Sequence, residues 1–213
     1  MPDRYRALLF LGLPGTGKST QGRSVGLLPG FTYTESGEVF RQLDTDSELG
    51  REVHAAIDRG ELVPDELAVR VWLDHVDRRA EAGQFDREND VLIVGGMPRT
   101  WEQAQLLEKR LNVLRVFLFE AEDEDRLMRR LSRRAQSEGR EDDADPAVVR
   151  HRIEIHRQRI APVLDFYTDA RIVKIDAGRS VLEVLDQVVS HLAGLEREGV
   201  LASPGSEERA GPG

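Results

Sequence analysis

The amino-acid sequence predicts an α/β domain built on a parallel sheet of five strands with helices on both faces. Three observations lead there. Ala7 to Leu11 and Val91 to Val94 are apolar throughout, the pattern of strands covered on both sides, and Val113 to Phe119 and Ile172 to Ile175 read as further strands. Between the strands lie segments with apolar residues at helical spacing, so the connections are crossovers and the sheet is parallel. Gly12, Gly95 and Asp176 then fall at the carboxyl ends of strands, where sheets of this kind bind ligands.

Taken in order, Ala7 to Leu11 is the central strand and a helix follows from about Gly17 to Gly26. Phe31 to Thr34 is a short β-prone segment, and Ser36 is placed to cap a helix holding Val39, Phe40 and Leu43. Ser47 caps the next helix, with Val53, Ala56 and Ile57 inward and Gly60 as its stop. Pro64 opens a third, carrying Leu67, Val71, Leu73 and Val76 to about Ala82. Beyond the strand Val91 to Val94, Thr100 and Gln103 form a capping box for a helix with Ala104, Leu107 and Leu111. Val113 to Phe119 is a strand, followed by an arginine-dense helix from about Asp123 to Ala135. Ser137 to Ala144 is a polar loop. Asp145 caps and Pro146 opens a long helix with Val149, Ile153, Ile160 and Leu164 on one face. Ile172 to Ile175 is the last strand, and Ser180 with Glu183 caps a final helix to about Leu195. Residues 202–213 have the Gly, Pro, Ser and Glu content of a disordered tail.

The chemistry concentrates in Gly12-Leu13-Pro14-Gly15-Thr16-Gly17-Lys18-Ser19. Glycines let backbone N–H groups turn inward, and the following helix points its positive end at the same spot, so the stretch is a phosphate-binding loop. Lys18 reaches the outer phosphates and the Ser19 hydroxyl can bind magnesium held between them. Of the 30 basic residues only Lys18, Lys109 and Lys174 are lysine, so a lysine in this slot is unusual for the chain.

The totals narrow the remaining possibilities. A net charge of −9 argues against a general nucleic-acid binder, which would carry a basic surface, and an acidic protein handling polyanions must gather its positive charge locally. Absence of cysteine excludes disulfides and thiolate zinc sites, and the five histidines have no ligand spacing. No apolar run approaches membrane-spanning length and the N-terminus lacks a signal-peptide core. A soluble, cytoplasmic, monomeric protein without zinc is expected.

Five further motifs join the loop GLPGTGKST (Gly12 to Thr20): TESGEVFR (Thr34 to Arg41), SELGREVHAAIDRGELVPDELA (Ser47 to Ala68), GGMPRTWEQA (Gly95 to Ala104), RRLSRRAQSEGREDD (Arg129 to Asp143) and RHRIEIHRQRIAPVLDFY (Arg150 to Tyr167). In this order they resemble the adenylate kinase family of nucleoside monophosphate kinases, over Ala7 to about Leu192. The resemblance implies a three-layer fold of the P-loop NTPase type spanning residues 1–201, with a helical monophosphate-binding subdomain at about 35–65 and a short lid at about 135–146. It implies transfer of the terminal phosphoryl group of ATP, with Mg2+, to a nucleoside monophosphate. Gly12, Pro14, Gly15, Thr16, Gly17, Lys18, Ser19 and Thr20, with Arg130, Arg134 and the backbone near Arg179, would hold ATP. Ser36, Arg41, Glu61, Leu62, Val63, Gly96, Met97, Pro98, Arg99 and Gln103 would hold the acceptor. Arg140 and Arg152 would close over the phosphates, and Lys18, Arg99, Arg134, Arg140 and Arg152 would act in catalysis. Met97-Pro98 matches a position where the family's peptide is often cis.

The physics runs the same way, because phosphoryl transfer is catalysed by positioning and charge neutralisation, and the guanidinium fork pairs two phosphate oxygens without losing its charge. Arg126 and Arg129 read instead as a solvated face, paired with acidic residues of the same helix. Arg133 can replace Arg134 in its role. Trp72 and Trp101 read as packing residues.

Three departures stand out. Ser19 replaces the family's usual glycine, and Glu38 its usual aspartate. Gly95 stands where the resemblance implies an aspartate that orders the magnesium waters, so the ion would depend on Ser19 and, through water, on Glu38. Ser36 and Gln103 favour AMP as acceptor. CMP, UMP or another small acceptor is the alternative, and a catalytically weak nucleotide sensor, motivated by Gly95, is the reading from another class.

Overall fold

The structure, a computed structural model, describes residues 4–138 and 145–201. The expected tail, Arg140 and half of the expected lid lie outside the described residues. Five strands, β1 (Tyr5–Gly12), β2 (Phe31–Glu35), β3 (Val91–Gly95), β4 (Leu111–Glu120) and β5 (Ile172–Asp176), form one sheet in the order β2-β3-β1-β4-β5. Every pairing is parallel. Among the described residues eight α-helices connect them: α1 (Lys18–Val25), α2 (Ser36–Arg41), α3 (Glu48–Asp58), α4 (Asp65–Glu81), α5 (Trp101–Glu108), α6 (Glu124–Glu138), α7 (Pro146–Phe166) and α8 (Val181–Arg197).

The uninterrupted apolar run Ala7 to Leu11 of β1 has a direct cause. Its side chains alternate between two buried layers: Tyr5, Ala7, Leu9 and Leu11 pack with Phe40, Trp72, Leu107 and Val163 of α2, α4, α5 and α7, whereas Leu8 and Phe10 pack with Val25, Val184, Val188 and Leu192 of α1 and α8. Phe10 lies between Phe117 and Phe119 of β4, with centroids 5.2 Å from each. At about 1.5–3 kcal/mol per large side chain buried, both layers are needed to fix the sheet, and the sheet in turn fixes the loops at its carboxyl edge. Trp72 is fully buried, and Trp101 packs edge-on against Phe166.

Three of the expected caps form. Ser47 Oγ accepts from Gly50 N at 2.9 Å, Asp145 Oδ1 accepts from Ala147 N at 2.7 Å, and Ser180 and Glu183 cap reciprocally. Several expectations are corrected: Leu111, expected in the helix after Thr100, opens β4 instead, and α6 runs to Glu138, past the expected start of the polar loop at Ser137. Glu35, not Ser36, is the N-cap of α2, and the Ser36 hydroxyl is buried instead. Pro64 is the N-cap of α4 rather than its first residue. Only half of the Thr100–Gln103 box is present, because Thr100 Oγ1 accepts from Gln103 N while the Gln103 amide is drawn away to Arg99 and Asp65.

Candidate active site

At the end of β1 the chain reaches Gly12, whose φ of 142° and close approach to β4 leave no room for a side chain; a Cβ there would stand 2.4 Å from Phe119 O. The turn closes with Thr16 Oγ1 donating to Leu13 O at 2.8 Å, and Gly17, left-handed at φ 90°, caps α1. Glycine takes this conformation without steric penalty. Lys18 opens the helix, and its ammonium donates to Leu13 O at 2.7 Å. The first-turn N–H groups of α1 thus face the same concavity as Lys18.

A second loop leaves β3 beside it. The Met97-Pro98 peptide is cis and Gly96 has φ 77°. Arg99 is fixed at both ends: its Nε donates to Gly96 O at 2.7 Å and its backbone N–H to Gln103 Oε1 at 2.8 Å. Asp65 Oδ1 then accepts from Gln103 Nε2 at 2.9 Å and from Thr100 Oγ1 at 2.8 Å. One carboxylate at the start of α4 therefore anchors the Arg99 loop.

The two loops open on one cleft of about 430 Å3. Helices α6 and α7 contribute Arg130, Arg133, Arg134, Arg152 and His156, the α2 to α4 segment contributes Gly37, Phe40, Arg41, Ile57, Glu61 and Val63, the β5–α8 connection contributes Ala177 and Arg179, and the first turn of α8 contributes Val181 and Val184. Crowded cations perturb one another. Desolvation in the cleft pushes the Lys18 ammonium down to about 7, with Arg99, Arg134 and Arg152 adding to the fall and Glu35 opposing it. Burial, then Arg99, Lys18 and Arg152, hold His156 neutral well below its ordinary range. Positive groups concentrated at strand ends in an acidic chain form a receptor for polyanions.

The family model described as Adenylate kinase matches residues 10–172. The chain belongs to that family. An adenylate kinase of Kocuria rhizophila is 34% identical over 196 residues, covering 89% of this chain and 98% of the relative. One of Clavibacter michiganensis subsp. michiganensis is 34% identical over 193 residues (88% and 92% covered), and one of Thermus thermophilus is 33% identical over 178 residues (81% and 88%).

Most residues expected to serve this family member's site meet in the cleft: Gly12, Pro14 to Thr20, Arg41, Glu61, Val63, Gly96, Pro98, Arg99, Arg130, Arg134, Arg152 and Arg179 line it. Both Arg133 and Arg134 do so. Ser36, Leu62, Met97 and Gln103 do not line it; Ser36, Met97 and Gln103 are buried, with the Gln103 amide engaged as above. Arg130 lines the cleft while its Nη1 donates to Gly15 O and Ala177 O, each at 3.3 Å. Arg126, expected on a solvated face, reaches the carbonyls of Gly178 and Arg179. Together these two arginines tie α6 to the loop after β5. The expected part of Glu38 at the metal is not reproduced, because Arg23 of α1 pairs with it and it does not line the cleft.

Sequence reasoning missed Glu35, Tyr33, His156 and Asp65. Glu35 lies within the quoted TESGEVFR motif, where its place at a strand end was the available signal; the others are distinguished only by what they contact. For magnesium carried by ATP the donor set is suitable. No group of three or more potential ligands gathers among the described residues, and a metal held mainly by phosphate oxygens and water needs only one or two protein oxygens. Ser19 at the start of α1 and Glu35 at the end of β2 both line the cleft.

Proposed function

We infer that this protein transfers the terminal phosphoryl group of ATP to AMP, giving two ADP. The observation that carries the reading, beside family membership, is the pair of phosphate-facing loops on adjacent strands, one with Lys18 and one with Arg99, opening on a single arginine-lined cleft. Such a cleft brings donor and acceptor phosphates end to end, and no covalent intermediate is needed. The donor takes the loop Gly12 to Thr20, with its base toward Ala177, Arg179 and Val184. The acceptor takes the side formed by Gly37, Arg41, Ile57, Glu61, Val63 and Arg99, with the buried Ser36 hydroxyl behind it.

Lys18 steadies the transferred group from below, and Arg99, Arg134 and Arg152 neutralise charge on its oxygens as it moves. Ser19, at the start of α1 and lining the cleft, would help hold magnesium carried by ATP, which would offset phosphate charge. Residues of about 35–65 and 135–146 act as acceptor subdomain and lid. The lid reading is supported by Arg134 before it and Arg152 after it, which reach the same cleft; Arg140 is assigned by its motif alone. Closure excludes water, which would otherwise accept the phosphoryl group. A monomer in the cytoplasm fits this work, and no helix among the described residues is long and apolar enough to cross a membrane.

Incubation with Mg-ATP and a panel of AMP, GMP, CMP, UMP and dTMP, scored for diphosphate, tests the reading. AMP is expected to give the highest kcat/KM, and a lead for CMP or UMP would overturn the acceptor assignment.

A further inference from the structure

Among the described residues two carboxylates line the cleft. Glu61 is exposed and paired with Arg59. Glu35 is different: it stands at the phosphate end, within electrostatic reach of Lys18, where a carboxylate repels the nucleotide's phosphates unless a cation stands between them. Its placement is built rather than incidental. Tyr33, two residues earlier and so on the same face of β2, donates its hydroxyl to Glu35 Oε2 at 2.8 Å, and Ser19 faces the same tyrosine oxygen.

Three glycines make room for the Tyr33 side chain. A Cβ at Gly22 would meet Tyr33 Cε2 at 2.2 Å, one at Gly26 would meet Tyr33 Cβ at 2.6 Å, and one at Gly95 would meet the hydroxyl at 2.7 Å. Gly95 is also the residue in register with Glu35 on the neighbouring strand. Neighbouring strands lie only about 4.8 Å apart, so a side chain starting on β2 reaches the space in front of Gly95. The strand end that lacks a carboxylate is thus occupied by a tyrosine that aims the carboxylate of the next strand.

We propose that Glu35, positioned by Tyr33, holds the water shell of the magnesium delivered with ATP, supplying from β2 the carboxylate that Gly95 does not supply from β3. The proposal rests on the reading of this protein as an ATP-dependent kinase. The competing explanation is that Glu35 serves only as counter-ion to Lys18, and the two differ in what they do to metal dependence.

Binding of ATP is measured calorimetrically with Mg2+ and with EDTA, for the wild type, Glu35→Gln and Tyr33→Phe. Outer-shell groups change metal affinity by about 10- to 100-fold. The ratio of the two dissociation constants is therefore expected to shrink by that factor in Glu35→Gln and by less in Tyr33→Phe, with affinity in EDTA unchanged or tightened. An unchanged ratio in both variants, or equal weakening with and without metal, overturns the proposal and leaves Glu35 as the partner of Lys18. Should Glu35→Gln fail to fold, the ratio in Tyr33→Phe and Glu35→Asp decides alone, and an unchanged ratio in both is again an overturning result. A folded wild type that binds ATP under neither condition refutes the kinase reading instead, so the two failures are distinguishable.

Discussion

Removing the Ser36 hydroxyl should move stability and acceptor affinity in opposite directions. Ser36 is wholly buried and its Oγ has no hydrogen-bond partner among the described residues. It lies against the second loop: a Cβ added to Gly96 would come within 2.7 Å of it. A buried hydroxyl left unpaired costs about 1–3 kcal/mol, and Ser36→Ala deletes that cost while keeping the Cβ. The free protein should gain roughly 1 kcal/mol or more, and each kcal/mol raises Tm by about 2–4 °C in a chain of this size. With AMP bound, the same hydroxyl gains a partner, so the variant should lose about 1 kcal/mol of affinity, roughly five- to tenfold in Kd. Thermal melts followed by circular dichroism and calorimetric titration with AMP give both signs. A lower Tm would refute the assignment of an unpaired hydroxyl, and an unchanged Kd for AMP would remove Ser36 from the acceptor site.

Four further outcomes are expected. Lys18→Ala should lower phosphoryl transfer by about 10²- to 10³-fold with the melting profile preserved, since among the described residues the ammonium donates to the loop oxygens of Leu13 and Thr16; unaltered turnover in a folded variant would take the loop out of the mechanism. Because burial lowers the Lys18 ammonium to about 7, it is largely neutral in the free protein at pH 8 and regains its proton beside phosphate, so ATP binding there should take up protons; heats that do not depend on buffer ionisation would contradict this. His156 is held below its unfolded value, so the unfolded chain binds the extra proton and stability is lost as pH falls through about 6.5. His156→Phe should flatten the decline of Tm between pH 7 and 5, and an identical decline would assign it to other groups. Gly95→Asp should lower Tm without reducing the magnesium requirement, since its Cβ would meet the Tyr33 hydroxyl at 2.7 Å; improved metal dependence would show that the tyrosine yields.

What could be read from the sequence was whatever depends on local pattern. The strands of β1, β3 and β4 announce themselves by apolar runs because burial on both faces removes the polar alternation that would blur them, and Gly12 to Ser19 announces a phosphate site because the loop's backbone geometry demands glycine at set places. Side-chain pairing across elements was not readable. Glu38 stood beside the site in sequence, yet Arg23, fifteen positions earlier and one turn of α1 beyond the loop, captures it. Gln103 promised to read a base, but its amide serves Asp65 and the Arg99 backbone. Arg126 reads as a surface residue in sequence because its partners, the carbonyls of Gly178 and Arg179, leave no trace in side-chain identity. Gly95 read as a lost carboxylate, since nothing in one sequence reveals that a neighbouring strand's tyrosine fills the position.

The slot around Tyr33 also restricts the order in which substitutions can accumulate. Placing aspartate at Gly95 first drives its Cβ into the tyrosine hydroxyl, and placing alanine at Gly22 or Gly26 first drives a methyl into the same side chain. Shrinking Tyr33 first leaves a void flanked by three glycines, and since truncating a fully buried aromatic costs about 3–5 kcal/mol, loss of the partly buried Tyr33 ring is destabilising by a fraction of that. A lineage moving the carboxylate from one strand to the other therefore meets a less stable intermediate in either direction, unless changes elsewhere in the sheet have already raised stability enough to carry it. Glu35, Tyr33, Gly22, Gly26 and Gly95 should consequently be exchanged as a set, and a graft of this site onto a related kinase has to transfer all five together.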